Sequence, residues 1–248
     1  MIITGLEMIR RDEAVRITGL DKVRAQPDLP DISNFTVQLT ELIRSAKEAD
    51  RALRHNGADI HGYELNPVIP MSRIREFEKK HRIVLPRSFT LFLTQVGNGG
   101  AGPDNGVYSL EELEKKNYFN HREAHFSDDP YDIPPGVIGA TSYYNDSIPS
   151  LVDSALTYEK WTEWRNRLYK IKDYDSEEFL KCRHEAYNGL LEIVSSDSSY
   201  CVMLVCCGDM TGQVVSFDHS FMIPEYTGLQ FDEWMINHFK GIIREYGQ

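Results

Sequence analysis

IREFEKKHRIVLPRSFTLFLTQVGNGGAGPDNG occupies residues 74–106. Its first half reads as a short helix from Ser72 to about His81, with Ile74 and Phe77 on one side. Leu85-Pro86 then restarts the chain. Proline in the first turn of a helix loses nothing, since that N–H has no intrahelical partner. Phe89, Phe92, Leu93 and Val96 follow at i, i+3, i+4 and i+7, one apolar helix stripe. Gly97-Asn98-Gly99-Gly100 stops this second helix, because glycine and asparagine tolerate the left-handed conformation in which helices often end. Two packed helices and a glycine-rich loop are expected. Glu78 is expected to accept hydrogen bonds from free N–H groups at the start of the second helix. A catalytic carboxylate would need a neighbour that tunes its pKa, and the sequence names none.

Upstream, Asp31 to His55 reads as a helix, with Phe35, Leu39, Leu42, Ile43 and Ala46 at helical spacing and Ser33 or Asn34 as cap. Tyr63-Glu64-Leu65-Asn66-Pro67 is expected to be extended, since a residue before proline is pushed out of the helical region. The first 30 residues balance five acids against five bases and contain two short strand-like pieces, Met1–Leu6 and Ala14–Ile17. They read as an N-terminal extension. Downstream, Ser109-x-x-Glu112 is a capping box opening a short helix. Asp128 to Asn145 is rich in Pro, Gly and Asp and reads as loop. Thr157 to Lys170 is helical, with Trp161, Trp164 and Leu168 on one side. Another helix begins near Asp175 or Ser176, where Glu177 and Glu178 suit the positive end of the dipole. Leu190–Val194, Tyr200–Cys206 and Gln213–Phe217 read as a strand meander. Its central run, Val202 to Val205, is continuously apolar and expected to be covered on both faces. A last helix, about Phe231 to Tyr246, carries Phe231, Trp234, Met235, His238, Phe239 and Ile242 on one stripe. Trp234 is expected to anchor the core, so its truncation to Ala would cost roughly 3–5 kcal/mol.

The pattern I-x2-F-E-x6-L-P-x2-F-x2-F-L-x3-G-N-G-G-x-G-P resembles the opening of the SUKH superfamily (Smi/Knr-type domains). Its carriers are Ile74, Phe77, Glu78, Leu85, Pro86, Phe89, Phe92, Leu93, Gly97, Asn98, Gly99, Gly100, Gly102 and Pro103. Where the family usually has Tyr after the Leu-Pro pair, this chain has Phe89. The resemblance continues through His61-Gly62-Tyr63-Glu64-Leu65-Asn66-Pro67, Gly189-Leu190-Leu191-Glu192-Ile193, Gly212-Gln213-Val214-Val215 and the Phe231-x2-Trp234 helix. That group contains bacterial immunity proteins of polymorphic toxin systems and fungal regulators of cell-wall synthesis. It implies an α+β fold whose antiparallel or mixed sheet has about five to six strands flanked by helices. Residues 1–57 would form an N-terminal extension and helix packed on a SUKH-like domain at 58–248. It implies a non-enzymatic protein that neutralises a cognate toxin by binding it. The alternative is a regulatory or scaffolding interaction module.

Composition constrains the reading without naming a function. The 248 residues are 41% apolar and 26% charged, ordinary for a folded chain. No apolar run approaches the ~18 residues of a membrane span. The N-terminus lacks signal-peptide features, and a cytoplasmic location is expected. The net charge of −11 argues against nucleic-acid binding, which needs basic surface, and would suit a toxin with a basic face. The four cysteines, Cys182, Cys201, Cys206 and Cys207, show no C-x-x-C spacing and read as reduced, buried thiols.

Other candidate chemistry is weaker. Gly97-x-Gly99-x-x-Gly102 fits a dinucleotide fingerprint in spelling only, because a helix precedes it where a strand is required. His121 and His125 share a helical spacing but lack a third metal ligand. His219 suggests nothing. Asp128-Asp129 through Asp132 lacks the spacing of a calcium loop. No metal, cofactor or catalytic residue is assigned. Two acidic segments remain. Ala101 to Asp132 carries eight acids against three bases, and Asp173 to Glu185 five against two. Asp104, Asn105, Glu111, Glu112, Asp128, Asp129, Asp132, Asp173, Asp175 and Glu177 are therefore the candidate partner-binding residues.

Overall fold

The computed structural model describes residues 34–81, 83–116, 150–151, 158–173, 176–186, 188–194, 200–218 and 223–247. The strand-like pieces before residue 30, the 128–145 loop, His121, His125 and His219 lie outside them.

The chain is α+β. Helix α1 (Phe35–Ala49) buries Phe35, Leu39, Ile43 and Ala46. It ends at Ala49, before the expected His55, and residues 31–33 of the expected helix lie outside the described residues. Asn34 stands at its start without a side-chain cap bond. At its end the buried Asp50 carboxylate accepts the N–H groups of Arg54 (2.8 Å) and His55 (2.9 Å), and Leu53 takes φ 51°. These bonds turn the chain out of the helix. A single turn, α2 (Ala58–His61), leads to Tyr63, which lies at φ 60°. The expected extended stretch therefore starts after Tyr63, with Leu65 bridging Gly100.

Helix α3 (Met71–His81) buries Ile74 and Phe77. Pro86 then caps α4 (Arg87–Leu91), which widens into a π turn at Phe92–Val96. The Gly97 N–H bonds the Phe92 carbonyl five residues back (2.9 Å). Phe89, Phe92 and Leu93 are fully buried, while Val96 only borders the core. Helices α5 (Leu110–Lys116), α6 (Tyr158–Lys170) and α7 (Glu177–His184) follow. Trp164 and Leu168 of α6 are buried, as expected.

The sheet is an antiparallel meander in the order β1 (Leu190–Val194), β2 (Tyr200–Val205), β3 (Gln213–Asp218), β4 (Ile223–Gln230). Leu191 pairs with Leu204, and Met203 with Val215. Val202 to Val205 is buried throughout. Among the described residues the sheet has four strands, not five to six. The sequence reading missed β4 because Pro224 and Gly228 interrupt its strand signal. An edge strand tolerates proline, whose missing N–H faces away from its single neighbour. Beyond β1, among the described residues, the sheet continues as isolated rungs, Val194 to Val107, Val107 to Gly100 and Gly100 to Leu65. Positive φ at Gly99, Gly100 and Gly106 prevents them from lengthening.

Helix α8 (Phe231–Tyr246) follows β4 directly and opens with a capping box between Gln230 and Glu233. It packs along α1 and buries Phe231, Met235, Phe239 and Ile242. Phe231 meets Phe89 edge-on (centroids 5.1 Å) and Phe92 (5.6 Å). Trp234 is only partly buried, against the edge of this cluster. Phe231, not Trp234, is the anchor: Phe231 is fully buried against Phe89 and Phe92, whereas the partly buried Trp234 packs against Phe231. Phe231→Ala is expected to cost about 3–5 kcal/mol and Trp234→Ala clearly less. Urea unfolding of the two variants measures the order.

Candidate functional site

The glycine-rich loop is a crossing point of backbones. Gly99 accepts from the Asn66 N–H (3.1 Å), and Ala101 donates to the Glu64 carbonyl (2.7 Å). Gly100 and Val107 exchange both of their bonds (2.8 Å each). A side chain at Gly99 would lie 2.5 Å from the Ser109 nitrogen, and one at Gly100 2.4 Å from the Glu64 carbonyl oxygen. Both also have positive φ. The Gly97–Gly100 run ends the helix as expected: Gly97 is extended (φ −175°), and positive φ begins at Gly99. The loop's amides are consumed by neighbouring backbone, so the dinucleotide spelling has a structural cause.

Glu78 does what the sequence suggested. Its Oε1 accepts the Leu85 N–H at 2.8 Å, closing the α3–α4 connection. Asn98, which the sequence reading treated only as a helix-ending residue, does more. Its Oδ1 accepts the Leu110 N–H (2.9 Å), and its Nδ2 donates to Glu111 Oε2 (2.8 Å). An Asn twelve residues before a helix start gives no local signal for this cap.

The candidate acidic residues of the first segment are largely built into the fold. Glu112 completes the capping box: its Oε2 accepts from the Ser109 N–H and hydroxyl (2.7 Å each). Glu111 also faces the Arg73 guanidinium of α3 at 3.5 Å. Burial acts to raise the Glu111 pKa, but the Asn98 amide and Arg73 outweigh it and hold the carboxyl below its ordinary value. Asp104 Oδ1 accepts from the Asn56 amide (3.0 Å), at a turn with φ 47°. Asn105 is the next residue of that turn. Asp128, Asp129 and Asp132 lie outside the described residues, as does Asp175.

In the second segment Asp173 and Glu177 are exposed. Glu177 forms an i,i+4 pair with Lys181 (2.6 Å), which pulls its pKa down. The surroundings are mixed in sign. Asp173 and Glu178 share a cleft of about 590 Å³ with Arg167, Lys170 and Lys172. Arg167 also pairs with the buried Glu185, whose pKa burial raises.

A second cleft, about 470 Å³, is lined by Arg75, Glu78, Lys79, Ile83, Val84, Cys206 and Cys207. Cys206 is buried, and burial pushes its thiol pKa well up. Cys207 is partly exposed, unlike the buried thiol expected, because β2 ends before it and the chain bends outward. Among the described residues no three His, Cys, Asp or Glu side chains form a metal-binding group, and no helix is long and apolar enough to cross a membrane.

Glu78→Ala leaves the Leu85 N–H unpaired and is expected to cost about 1–3 kcal/mol. The melting temperature should fall by several degrees; an unchanged value contradicts the role. Alkylation followed by peptide mapping should label Cys207 ahead of Cys182 and Cys206, since reactivity follows exposure and thiolate character. A scan against family models and searches of curated proteins and solved structures find no match to this chain.

Proposed function

We propose that this chain is a non-enzymatic, cytoplasmic immunity-type protein that neutralises a toxin by forming a stoichiometric complex with it. The observation carrying this reading is the behaviour of the motif residues on which the SUKH resemblance rests. Phe77, Leu85, Phe89 and Phe92 share one core. Glu78 clasps the Leu85 N–H, and Gly97, Gly99 and Gly100 close against the chain at Glu64–Asn66 and Val107–Ser109. Each of these motif residues thus has a structural role, which supports the reading. The overall charge of −11 agrees with a partner that has a basic face. Opposite fields speed encounter, and buried anchors then hold the complex.

The described acids divide by what their loss would do. Asp104, Glu111 and Glu112 hold the fold, so replacing them confounds binding with stability. Asp173 and Glu177 are exposed, and the Glu177–Lys181 pair is a surface pair worth about 0–1 kcal/mol. They are the cleaner probes.

Co-expression with the C-terminal domain of a candidate toxin, followed by size exclusion with light scattering, tests the reading. A one-to-one complex with rescued growth is expected. Its association should slow as salt rises and on D173K/E177K, at unchanged melting temperature. Failure to bind or rescue with every neighbouring toxin would favour a regulatory or scaffolding module.

A further inference from the structure

Two histidines six residues apart, His55 and His61, meet His238 beside the glycine loop. His55 comes from the connector after α1, His61 from the end of α2 and His238 from α8. The His55 and His238 rings meet edge-on with centroids 5.1 Å apart. The Nε2 atoms of His61 and His238 are buried without a well-formed hydrogen bond, and the Gly102 backbone is the polar group that both rings face. His61 Nδ1 accepts the Tyr63 N–H at 3.0 Å. In the neutral ring the proton therefore sits on Nε2. Tyr63 is held at φ 60°, a conformation unfavourable for an aromatic residue, and its hydroxyl donates to Asp50 Oδ2 at 2.8 Å.

We propose that His61 and His238, packed around the His55 ring, form an acid-sensitive latch, in which their protonation frees the Asp50–Tyr63 connector from α8 and the glycine loop. A proton added to His61 Nδ1 points at the Tyr63 N–H, so two donors face each other and their bond is lost. Tyr63 then loses one of the two ties that hold its left-handed backbone. A second charge, on His238, is repelled by the charge on His61.

Burial outweighs the groups near the cluster that favour its protonated form. Burial leads in lowering the His61 pKa and His55 adds to it, against the Gly102 backbone bond and Asp59 of its own helix, which raise it. His238 meets His55, His61 and the Gly102 backbone, and burial first, then the two histidines, pushes it down to about 3. His55 also faces the Tyr246 ring, over which Arg54 lies at 5.1 Å. Asp50 is the nearby acid. Burial would raise its pKa, but the N–H groups of Arg54 and His55 and the Tyr63 hydroxyl lower it, so it stays ionised with its acceptors occupied. Asp104 on the glycine loop is bonded to Asn56.

Imidazoles that bind fewer protons in the closed state than in the open one lose stability as pH falls below about 6.5, the ordinary histidine value. The buried Asp232 and Glu185 have raised pKa values and the opposite sign, but they stand outside the cluster.

Amide hydrogen exchange, expressed as protection factors at pH 7.5 and 5.5, tests the latch. The Arg54, His55 and Tyr63 amides should lose roughly 10-fold in protection for each histidine kept neutral by closure, while the β2 and β3 amides do not. H61N keeps an acceptor near Nδ1 without titrating. Combined with H238F it should flatten the pH response. An equal loss in that variant, or one shared by the strands, overturns the latch. Should the variant not fold, the wild-type imidazole resonances decide. His61 and His238 remaining neutral well below pH 6.5 supports the latch; midpoints at the ordinary value overturn it.

Discussion

The structure depends on a close approach of bare backbone. At Gly99 and Gly100 the chain passes so near to Glu64–Asn66 and Val107–Ser109 that no Cβ fits. Every peptide group buried there needs a partner, and the crossing supplies them through short backbone bonds. One further bond, from the Tyr108 N–H to the Ile193 carbonyl (2.9 Å), carries the crossing into β1. The α3–α4 pair, the start of α5 and the sheet edge are thus positioned by the same few residues. The histidine cluster leans on the same loop through Gly102.

Carboxylates secure what the glycines bring together. Glu78, Glu112 and Asp50 each accept at least one backbone N–H that local structure leaves free. Such charge-assisted bonds are among the stronger hydrogen bonds. A count of acids therefore overstates the surface offered to a partner. The first acidic segment is partly scaffold where it is described, and the second shares its cleft with lysines and an arginine. A partner would meet a patterned face rather than a uniformly negative one, and pattern gives specificity more readily than net charge does.

Local periodicity exposed α3, α4, α6, α8 and three strands, because each carries its burial pattern within a few residues. It also exposed the Glu78 clasp and the Ser109–Glu112 box, whose partners are near in sequence. It missed β4, where Pro224 and Gly228 mask a strand stabilised by one neighbour. It overrated Trp234, since size and stripe position do not say which aromatic meets the α4 phenylalanines. It left Asn98 without its cap and the three histidines without one another.

The sequence by itself determined the α+β class, the helix pair, the glycine stop and the meander, all set by short-range sterics and apolar spacing. Tertiary structure alone decided that the sheet continues past β1 as single rungs, that Phe231 is the anchor and that Asn98 reaches Leu110. It also decided that His55, His61 and His238 share one site. These depend on contacts between segments far apart in the chain, whose geometry no local pattern encodes.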